Sequence, residues 1–344
     1  MEKTFIVTGG AGFIGSNIIA ALNDRGHEDI LVVDRLDCDG KKNNLNSVKF
    51  HNYLDKDDFR RNFLEDKLEP FDGAPSFVPS SGTTAGRQDR PVDTVFHMGA
   101  CTSTTETDEE YLTDNNFRYT RELCEWCLRH EIRFIYASSA ATYGDGSLGY
   151  SDEDEITPKL NPLNLYGRSK HMFDIWALEN NALQRIAGLK YFNVYGPHED
   201  HKEDMRSVVN KAYEQILATG EVRLFKSYRP EYGDGEQERD FVYVKDAVKV
   251  TLFFHDHPEV SGLFNCGTGR PRTWIDLAKA VFAAMKKEPE VVFVDMPEEL
   301  REGYQYHTQA DVSKLRRAGY GNAFTPLEEG VRDYVRSYLT AQKC

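Results

Sequence analysis

The sequence predicts an α/β fold in which a doubly wound, mostly parallel sheet carries a second, smaller mixed α/β domain. Three observations predict it. Short apolar, β-branched runs alternate with helical patterns through the chain of 344 residues. The first run leads directly into a glycine-rich turn and a helix. Several later runs end in small or polar residues, and in a doubly wound sheet such strand ends form the edge where ligands bind.

The first strand, turn and helix have the pattern of a dinucleotide-binding unit. Residues 5–8 form the apolar run, glycines follow at 9, 10, 12 and 15, and a helical pattern begins at Asn17. One glycine makes the tight turn, one admits the pyrophosphate, and one allows close helix–strand packing. The helix N-terminus offers free N–H groups to the phosphates. This spacing therefore predicts a nicotinamide dinucleotide site.

The second strand, residues 30–34, ends in an acid that bears on which dinucleotide is bound. Asp34 stands where a carboxylate reaches the adenosine ribose, which favours NAD. Arg35, Lys41 and Lys42 follow, and these cations could instead hold the 2′-phosphate of NADP. At this level both cofactors stay open.

The remaining elements continue the alternation. Residues 55–68 predict a charged helix, and residues 70–92 are rich in Gly, Pro and Ser, which indicates an irregular insertion. Two central strands follow at 94–100 and 134–139, with a helix at 114–130 between them, and Tyr166 opens the next helix. Further strands are predicted at 189–197, 222–225, 239–244 and 262–267, and helices at 207–217, 245–255, 274–286 and 327–339.

Composition excludes several classes of function. The formal net charge is −14, which argues against a nucleic-acid-binding or anionic membrane-binding surface. No apolar stretch is long enough to span a bilayer, and the chain starts in a strand without a signal peptide. The six cysteines are scattered, and neither HExxH nor paired CxxC motifs occur. We expect a cytoplasmic protein without a metal site.

The predicted chemistry depends on Ser139, Tyr166 and Lys170. A tyrosine and a lysine four residues apart on a helix share one face. The free phenol has a pKa of about 10, and a neighbouring ammonium should lower it toward neutrality. The serine hydroxyl can hold a substrate oxygen, and strand alternation favours Ser139 over Ser138. This trio predicts redox chemistry at a carbinol carbon.

Taken together, these motifs resemble the extended short-chain dehydrogenase/reductase family. The resemblance rests on the glycine turn, the Ser138-Ser139 strand end, Tyr166-x-x-x-Lys170 and the Tyr-Phe-Asn-Val-Tyr-Gly-Pro segment at 191–197, and it runs nearly end to end. It implies a Rossmann-type fold and a nucleotide-sugar substrate. Segments 99–106, 114–116, 136–144, 192–197 with 201–202, 239–244 and 308–311 are similar to those of the branch that inverts carbon 6 of an ADP-bound heptose, a lipopolysaccharide precursor. That branch implies NADP, an ADP-sugar and a homo-oligomer.

The resemblance also implies roles for individual residues. Tyr166 and Lys202 correspond to the proton-transfer groups on the two faces of the sugar carbon, with Lys170 and Ser139 beside Tyr166. The implied cofactor-binding residues are Gly9, Gly12, Phe13, Ile14, Gly15, Asp34, Arg35, Lys41, Lys56, Gly99, Ala100, Cys101, Asn115, Lys170, Val194 and Lys202. The implied substrate-binding residues are Ser139, Asn193, Asp204, Lys211, Phe225, Arg239 and Tyr304.

Two of these residues have simpler interpretations from the residues alone. Lys202 lies among acids at 199, 200, 203 and 204, which is typical of a surface lysine; those acids should hold it cationic. Arg239 could pair with Asp240 or another nearby acid rather than with a diphosphate.

The chain departs from the family pattern mainly on the sugar side. The departures are Arg35, Met98, Asp204, Lys211, the segment Lys226-Ser227-Tyr228 and an insertion at 229–237. Another nucleotide-sugar epimerase or a dehydratase is the nearest alternative, although residues 140–143 lack the Asp-Glu pair of a dehydratase. A catalytically silent dinucleotide-binding regulator is the alternative of another class. We expect residues 1–191, 243–269 and 305–318 to form the dinucleotide domain and residues 192–242, 270–304 and 319–344 the substrate domain.

Overall fold

A computed structural model of the protein describes residues 3–68, 91–301 and 304–341. Its strands are β1 Thr4–Thr8, β2 Ile30–Asp34, β3 Asn52–Asp55, β4 Val92–His97, β5 Arg133–Ser139, β6 Ala187–Tyr191, β7 Asn193–Tyr195, β8 Val222–Phe225, β9 Glu238–Arg239, β10 Phe241–Tyr243, β11 Gly262–Cys266, β12 Arg272–Thr273 and β13 Val291–Val294. Its helices are α1 Phe13–Asp24, α2 Asp39–Leu45, α3 Lys56–Leu64, α4 Glu109–Leu112, α5 Tyr119–Arg129, α6 Leu165–Glu179, α7 Val208–Ala218, α8 Val244–Asp256, α9 Trp274–Ala284, α10 Glu298–Arg301, α11 Ser313–Arg317 and α12 Leu327–Tyr334.

Seven strands form one central sheet in the order β11-β6-β5-β4-β1-β2-β3, and every neighbouring pair is parallel. The chain moves outward from β1 through β2 and β3, then returns to β4 on the other side of β1. Such a reversal leaves a crevice beyond the carboxyl ends of the adjacent strands. The predicted doubly wound parallel sheet is confirmed, and the crevice lies at the glycine turn.

Both faces of this sheet are covered, which explains the unbroken apolar runs in its strands. Side chains alternate along β1, so that Phe5 and Val7 join one core cluster and Ile6 joins the other. Helices α1 and α8 pack together over the first face, and α3, α5 and α6 cover the second. Buried side chains on both faces hold the strand ends in fixed positions.

Three two-stranded sheets and the helices α7, α9 and α12 make up the mixed α/β region beyond β6. The predicted strand at 239–244 is divided at Asp240 into β9, which pairs with β12, and β10, which pairs with β7. The Asp240 carboxylate accepts backbone N–H groups of Thr268, Gly269 and Ala310 at 2.7–3.0 Å. Strand β3 and helix α2 were not predicted, since β3 is only four residues long with polar residues at both ends and α2 is mostly polar. The domain boundaries stay a prediction, and most of the expected insertion at 70–92 lies outside the described residues.

Among the helices that the structure describes, none is both long and apolar enough to cross a bilayer.

Candidate active site

The glycine turn between β1 and α1 is shaped by two close approaches. Gly9 has φ of +65°, and a Cβ there would lie 2.6 Å from the backbone nitrogen of Gly99. A Cβ on Gly15 would lie 2.2 Å from the carbonyl oxygen of Gly9. Both glycines are therefore required by the fold itself, the first through its left-handed conformation and the second through packing. They bring the ends of β1 and β4 together at the mouth of the crevice.

Asp34, the acid at the end of β2, hydrogen-bonds both the glycine turn and a neighbouring lysine. One oxygen of Asp34 accepts the backbone N–H of Ala11 at 3.0 Å, and the other accepts from the Lys41 ammonium at 3.2 Å. Asp37 pairs with both Lys41 and Arg35 at 3.1 Å. Two cations thus stand at the ribose end of the crevice, each with a carboxylate partner.

A turn of π-helix between α4 and α5, Thr113–Arg118, places two asparagines beside the crevice. Asn115 accepts a hydrogen bond from the Lys56 ammonium at 2.9 Å. Asn116, which belongs to a segment that supports the family resemblance but had no predicted role, accepts the backbone N–H of Cys101 at 2.9 Å and donates to Ser169 at 3.0 Å. Asn116 therefore joins the loop that follows β4 to helix α6, at the residue that precedes Lys170.

The Ser139–Tyr166–Lys170 trio is brought together as predicted. Asn164 caps α6 by accepting the backbone N–H of Gly167 at 2.7 Å, so that Tyr166 and Lys170 occupy its first two turns. The Tyr166 phenol lies near enough to the Ser139 side chain for Ser139 to favour its ionised form, and the Lys170 ammonium donates to the carbonyl of Ala137 at 2.9 Å. A carbinol oxygen placed here would meet two hydroxyl groups.

Behind the trio lies a buried ion pair that sequence reasoning missed. Lys190 and Asp174 are fully buried, and their charged groups are 3.2 Å apart. Asp174 also accepts from Tyr136 at 2.9 Å and from Ser138 at 2.7 Å. Ser138 is therefore occupied away from the crevice, and the neighbouring Ser139 faces Tyr166.

Burial shifts both catalytic pKa values. It raises the pKa of Tyr166, an effect that the hydrogen bond from Ser139 only partly offsets. The lowering predicted from the lysine alone is therefore wrong for this constellation of side chains. Burial also lowers the pKa of Lys170 to about 8, against the opposing charge of Asp174.

The shift at Lys170 gives a pH prediction. Its pKa is about 8 in the folded chain and 10.5 ordinarily, so between these values the unfolded chain binds more protons at this site. The contribution of this group to the free energy of unfolding should therefore rise with pH across that range. We expect the stability difference between wild type and Lys170→Met, measured by urea unfolding at about pH 8 and about pH 10, to shift in favour of wild type. Equal pH slopes in the two proteins would contradict the burial of a titrating ammonium.

Lys202 reaches the crevice from a different part of the chain. It lies on the loop of residues 196–205, which we name the 196–205 loop, and its ammonium stands 5.3 Å from the ring centre of Phe13. The side chain is half-buried rather than fully exposed, as a simple surface lysine would be. Burial lowers its pKa, and the Glu199 carboxylate opposes this by favouring the charged form, as predicted for these acids; burial is the larger cause. Glu199 is itself buried and accepts from Ser207 at 2.6 Å.

On the mixed α/β side, Arg239 is buried without a carboxylate partner among the described residues. Its guanidinium donates to the carbonyl of Glu238 at 2.8 Å and lies 5.1–5.5 Å from the ring centres of Tyr304 and Trp274. Because the carboxylate of Asp240 is taken up by backbone N–H groups, the alternative of an Arg239–Asp240 pair is wrong. A buried cation of this kind suits a phosphate group.

The other predicted binding residues on this side differ in burial and in how close they lie to Arg239. Phe225 stands 6.5 Å from Tyr304, ring centre to ring centre, at the edge of the Arg239 pocket. Val194 is half-buried and Asn193 exposed on β7. Asp204 is exposed, and its carbonyl accepts from Lys211. Asp204 thus lies on the 196–205 loop and Lys211 on α7, whereas Arg239 contacts Glu238, Trp274 and Tyr304.

A comparison with known protein families now bears on this geometry. Residues 5–267 match the NAD dependent epimerase/dehydratase family. The chain belongs to this family. The predicted family resemblance is thereby confirmed, and a nicotinamide dinucleotide is the cofactor class of the site.

Individual relatives and solved structures that are similar to the chain are epimerases as well. The chain is 52% identical over 337 residues to the ADP-L-glycero-D-manno-heptose-6-epimerase of Nitratidesulfovibrio vulgaris, covering 98% of both chains. It is 44% identical over 346 residues to the protein of that name from Fusobacterium nucleatum, again covering 98% of each. The crystal structure of the Helicobacter pylori ADP-L-glycero-D-manno-heptose-6-epimerase superposes with a TM-score of 0.76, at 25% identity and with coverage of 98% and 96%. A UDP-N-acetylglucosamine 4-epimerase from Methanobrevibacter ruminantium gives 0.78, at 27% identity and with 99% coverage of both chains.

Proposed function

We propose that the protein inverts carbon 6 of the heptose in ADP-D-glycero-D-manno-heptose to give ADP-L-glycero-D-manno-heptose, with bound NADP as a recycled hydride carrier. The relatives at up to 52% identity over almost the whole chain support this substrate. The observation that carries the proposal is that two half-buried proton-transfer groups, Tyr166 and Lys202, reach the crevice from different elements.

An inversion needs these two groups because carbon 6 must lose and regain its hydride on opposite faces. The intermediate ketone turns in between, so its oxygen gives up a proton in one orientation and regains one in the other. The bound nicotinamide supplies a reversible hydride acceptor. Tyr166 holds the proton at the carbinol oxygen on one face, with Ser139 fixing that oxygen and Lys170 beside it. Lys202, whose lowered pKa brings it closer to neutrality, moves the proton on the other face. The intermediate ketone must turn between the two groups.

The substrate's nucleotide end is assigned to the Arg239 pocket. A diphosphate gives the buried guanidinium the anionic partner that the described residues do not provide, and Trp274, Tyr304 and Phe225 supply aromatic walls for a base. At the cofactor's ribose end, Arg35 and Lys41 are the cations available to a 2′-phosphate, which is why we propose NADP rather than NAD. The homo-oligomer and the cytoplasmic location stay predictions.

The decisive experiment is turnover of ADP-D-glycero-D-manno-heptose in deuterated water. Direct return of the same hydride gives inverted product without deuterium at carbon 6, and mass spectrometry with NMR of the product measures this. Solvent deuterium at carbon 6 would contradict the hydride mechanism. Inversion of UDP-glucose instead of the ADP-heptose would favour a 4-epimerase, and no turnover of either sugar would favour a silent regulator.

A further inference from the structure

The 196–205 loop is fastened to the glycine-turn side of the molecule. The Asn17 amide donates to the carbonyl of Pro197 at 3.0 Å, and Ser16 hydrogen-bonds the His198 ring at 3.0 Å. Asn44 on α2 donates to the carbonyl of His198 at 3.1 Å. These contacts come from α1 and α2, the two helices that frame the cofactor's phosphate and ribose ends. The loop is therefore held across the crevice by the cofactor-binding half of the chain.

His201 lies beside the phosphate end of the crevice. A Cβ on Gly12 would lie 4.0 Å from its Nε2 atom, so the imidazole stands over the turn that admits the pyrophosphate. Gly40 makes this approach possible, because a Cβ there would lie 2.8 Å from the Cβ of His201. Two glycines thus make room, one for the phosphates and one for the histidine that covers them.

The hydrogen bonds of Asn44 fix which ring nitrogen of His201 carries the proton. The Asn44 amide nitrogen donates to the carbonyls of Ala11 and His198, which can only accept, so its orientation is determined. The same nitrogen lies 3.3 Å from Nδ1 of His201, and an amide nitrogen cannot accept, so an Nδ1–H directed at it would have no acceptor; this contact favours the tautomer with Nδ1 unprotonated. Burial and the nearby Lys41 and Lys202 lower the pKa of His201 to about 4, which keeps the ring neutral. Its proton is then on Nε2, and no described side chain accepts it.

We propose that His201 donates this Nε2–H to a pyrophosphate oxygen of the bound dinucleotide, as a positioning residue that closes the 196–205 loop over the cofactor. The inference rests on the proposed function for the cofactor class alone. Since Lys202 follows His201 in the chain, the same hydrogen bond sets where the Lys202 ammonium stands. The loop that carries one proton-transfer group would thus be seated by the cofactor, and the cofactor would be retained between turnovers.

The test replaces the donor and measures the cofactor rather than the reaction. His201→Phe keeps a ring of similar size without an N–H, and we expect the NADP+ dissociation rate, followed by stopped-flow fluorescence, to rise roughly 3- to 10-fold. In the ³¹P NMR spectrum of bound NADP+ the pyrophosphate signals should move while the 2′-phosphate signal stays in place. His201→Gln restores an N–H donor and should recover most of the retention. His257→Phe, which replaces an exposed histidine paired with Glu259, is the matched control and should behave as wild type.

Unchanged dissociation and unchanged pyrophosphate signals in His201→Phe would overturn the inference. An equal effect in His257→Phe would overturn it as well, because the change would not be specific to the crevice. If wild type turns over the ADP-heptose but His201→Phe retains NADP+ normally, the proposed function stands and only this inference fails. If wild type binds no nicotinamide dinucleotide, the cofactor part of the proposed function fails with it.

Discussion

Replacing Tyr166 with phenylalanine is expected to lower kcat about 100- to 10,000-fold, the range that a positioned proton-transfer group contributes. The phenol is half-buried and interacts with the Ser139 side chain, so its hydroxyl is in position to act on a carbinol oxygen held there. Phenylalanine keeps the ring and therefore the packing of α6. Turnover of ADP-heptose measures the loss, and mass spectrometry of nucleotide released from the purified variant measures whether cofactor is still bound.

The matched control is Tyr338→Phe, which removes a hydroxyl from a half-buried tyrosine in the C-terminal segment beside Lys245. It should keep wild-type turnover. Tyr166→Phe should hold as much cofactor as wild type because α6 contacts the crevice through Lys170 and Ser169 as well. Retained activity in Tyr166→Phe would remove this residue from its role. Loss of cofactor together with activity would assign it to binding rather than to proton transfer.

The parts of the site that the sequence predicted are local patterns. Gly9 and Gly15 occur within one turn, and Tyr166 and Lys170 occur four residues apart on one helix, so short-range geometry is enough to place them. The continuous apolar runs of the central strands predicted the parallel sheet for the same reason. Strand β3 and helix α2 escaped prediction because their formation depends on neighbours rather than on apolar periodicity.

The parts that the sequence did not predict depend on contacts between distant segments. Asn116, Asp174 and His201 gain their roles from partners far away in the chain, and no spacing rule marks them. The net pKa shifts of Tyr166 and Lys202 are opposite to the predicted directions for a related reason. Neighbouring charges are visible in a sequence, whereas burial is not, and burial is the larger cause at both Tyr166 and Lys202.

The position of Lys190 in the sequence could have predicted the buried ion pair. It stands in the middle of β6, a strand buried on both faces, where a charged side chain requires a buried partner. Asp174 lies one helical turn beyond Lys170, facing the same strands. A lysine in a strand that is buried on both faces predicts an acidic partner on a packed helix, and Asp174 fits that position.

Lys190→Met is expected to lower the free energy of unfolding by about 3–5 kcal/mol, since it leaves the Asp174 carboxylate buried without its counter-ion. The two charged groups are 3.2 Å apart and both side chains are fully buried. Methionine fills a similar volume, so the loss reflects the unpaired charge rather than a cavity. Urea unfolding followed by circular dichroism measures it. The control is Lys245→Met, which breaks a partly exposed pair with Asp333 and should cost less than about 1 kcal/mol.

A second substitution separates the unpaired charge from the loss of contacts. In Lys190→Met the further change Asp174→Asn removes the charge but keeps an oxygen that can accept from Tyr136, and the amide can meet the hydroxyl of Ser138. If the buried charge is the main cost, the double variant is more stable than Lys190→Met alone. If it is no more stable, the loss comes from the lysine's contacts with Thr142 at 2.6 Å and with the Tyr143 ring at 4.7 Å instead. Asp174 also accepts the hydroxyl of Ser138 at 2.7 Å, so of the two serines at the end of β5 it is Ser139 that faces the crevice.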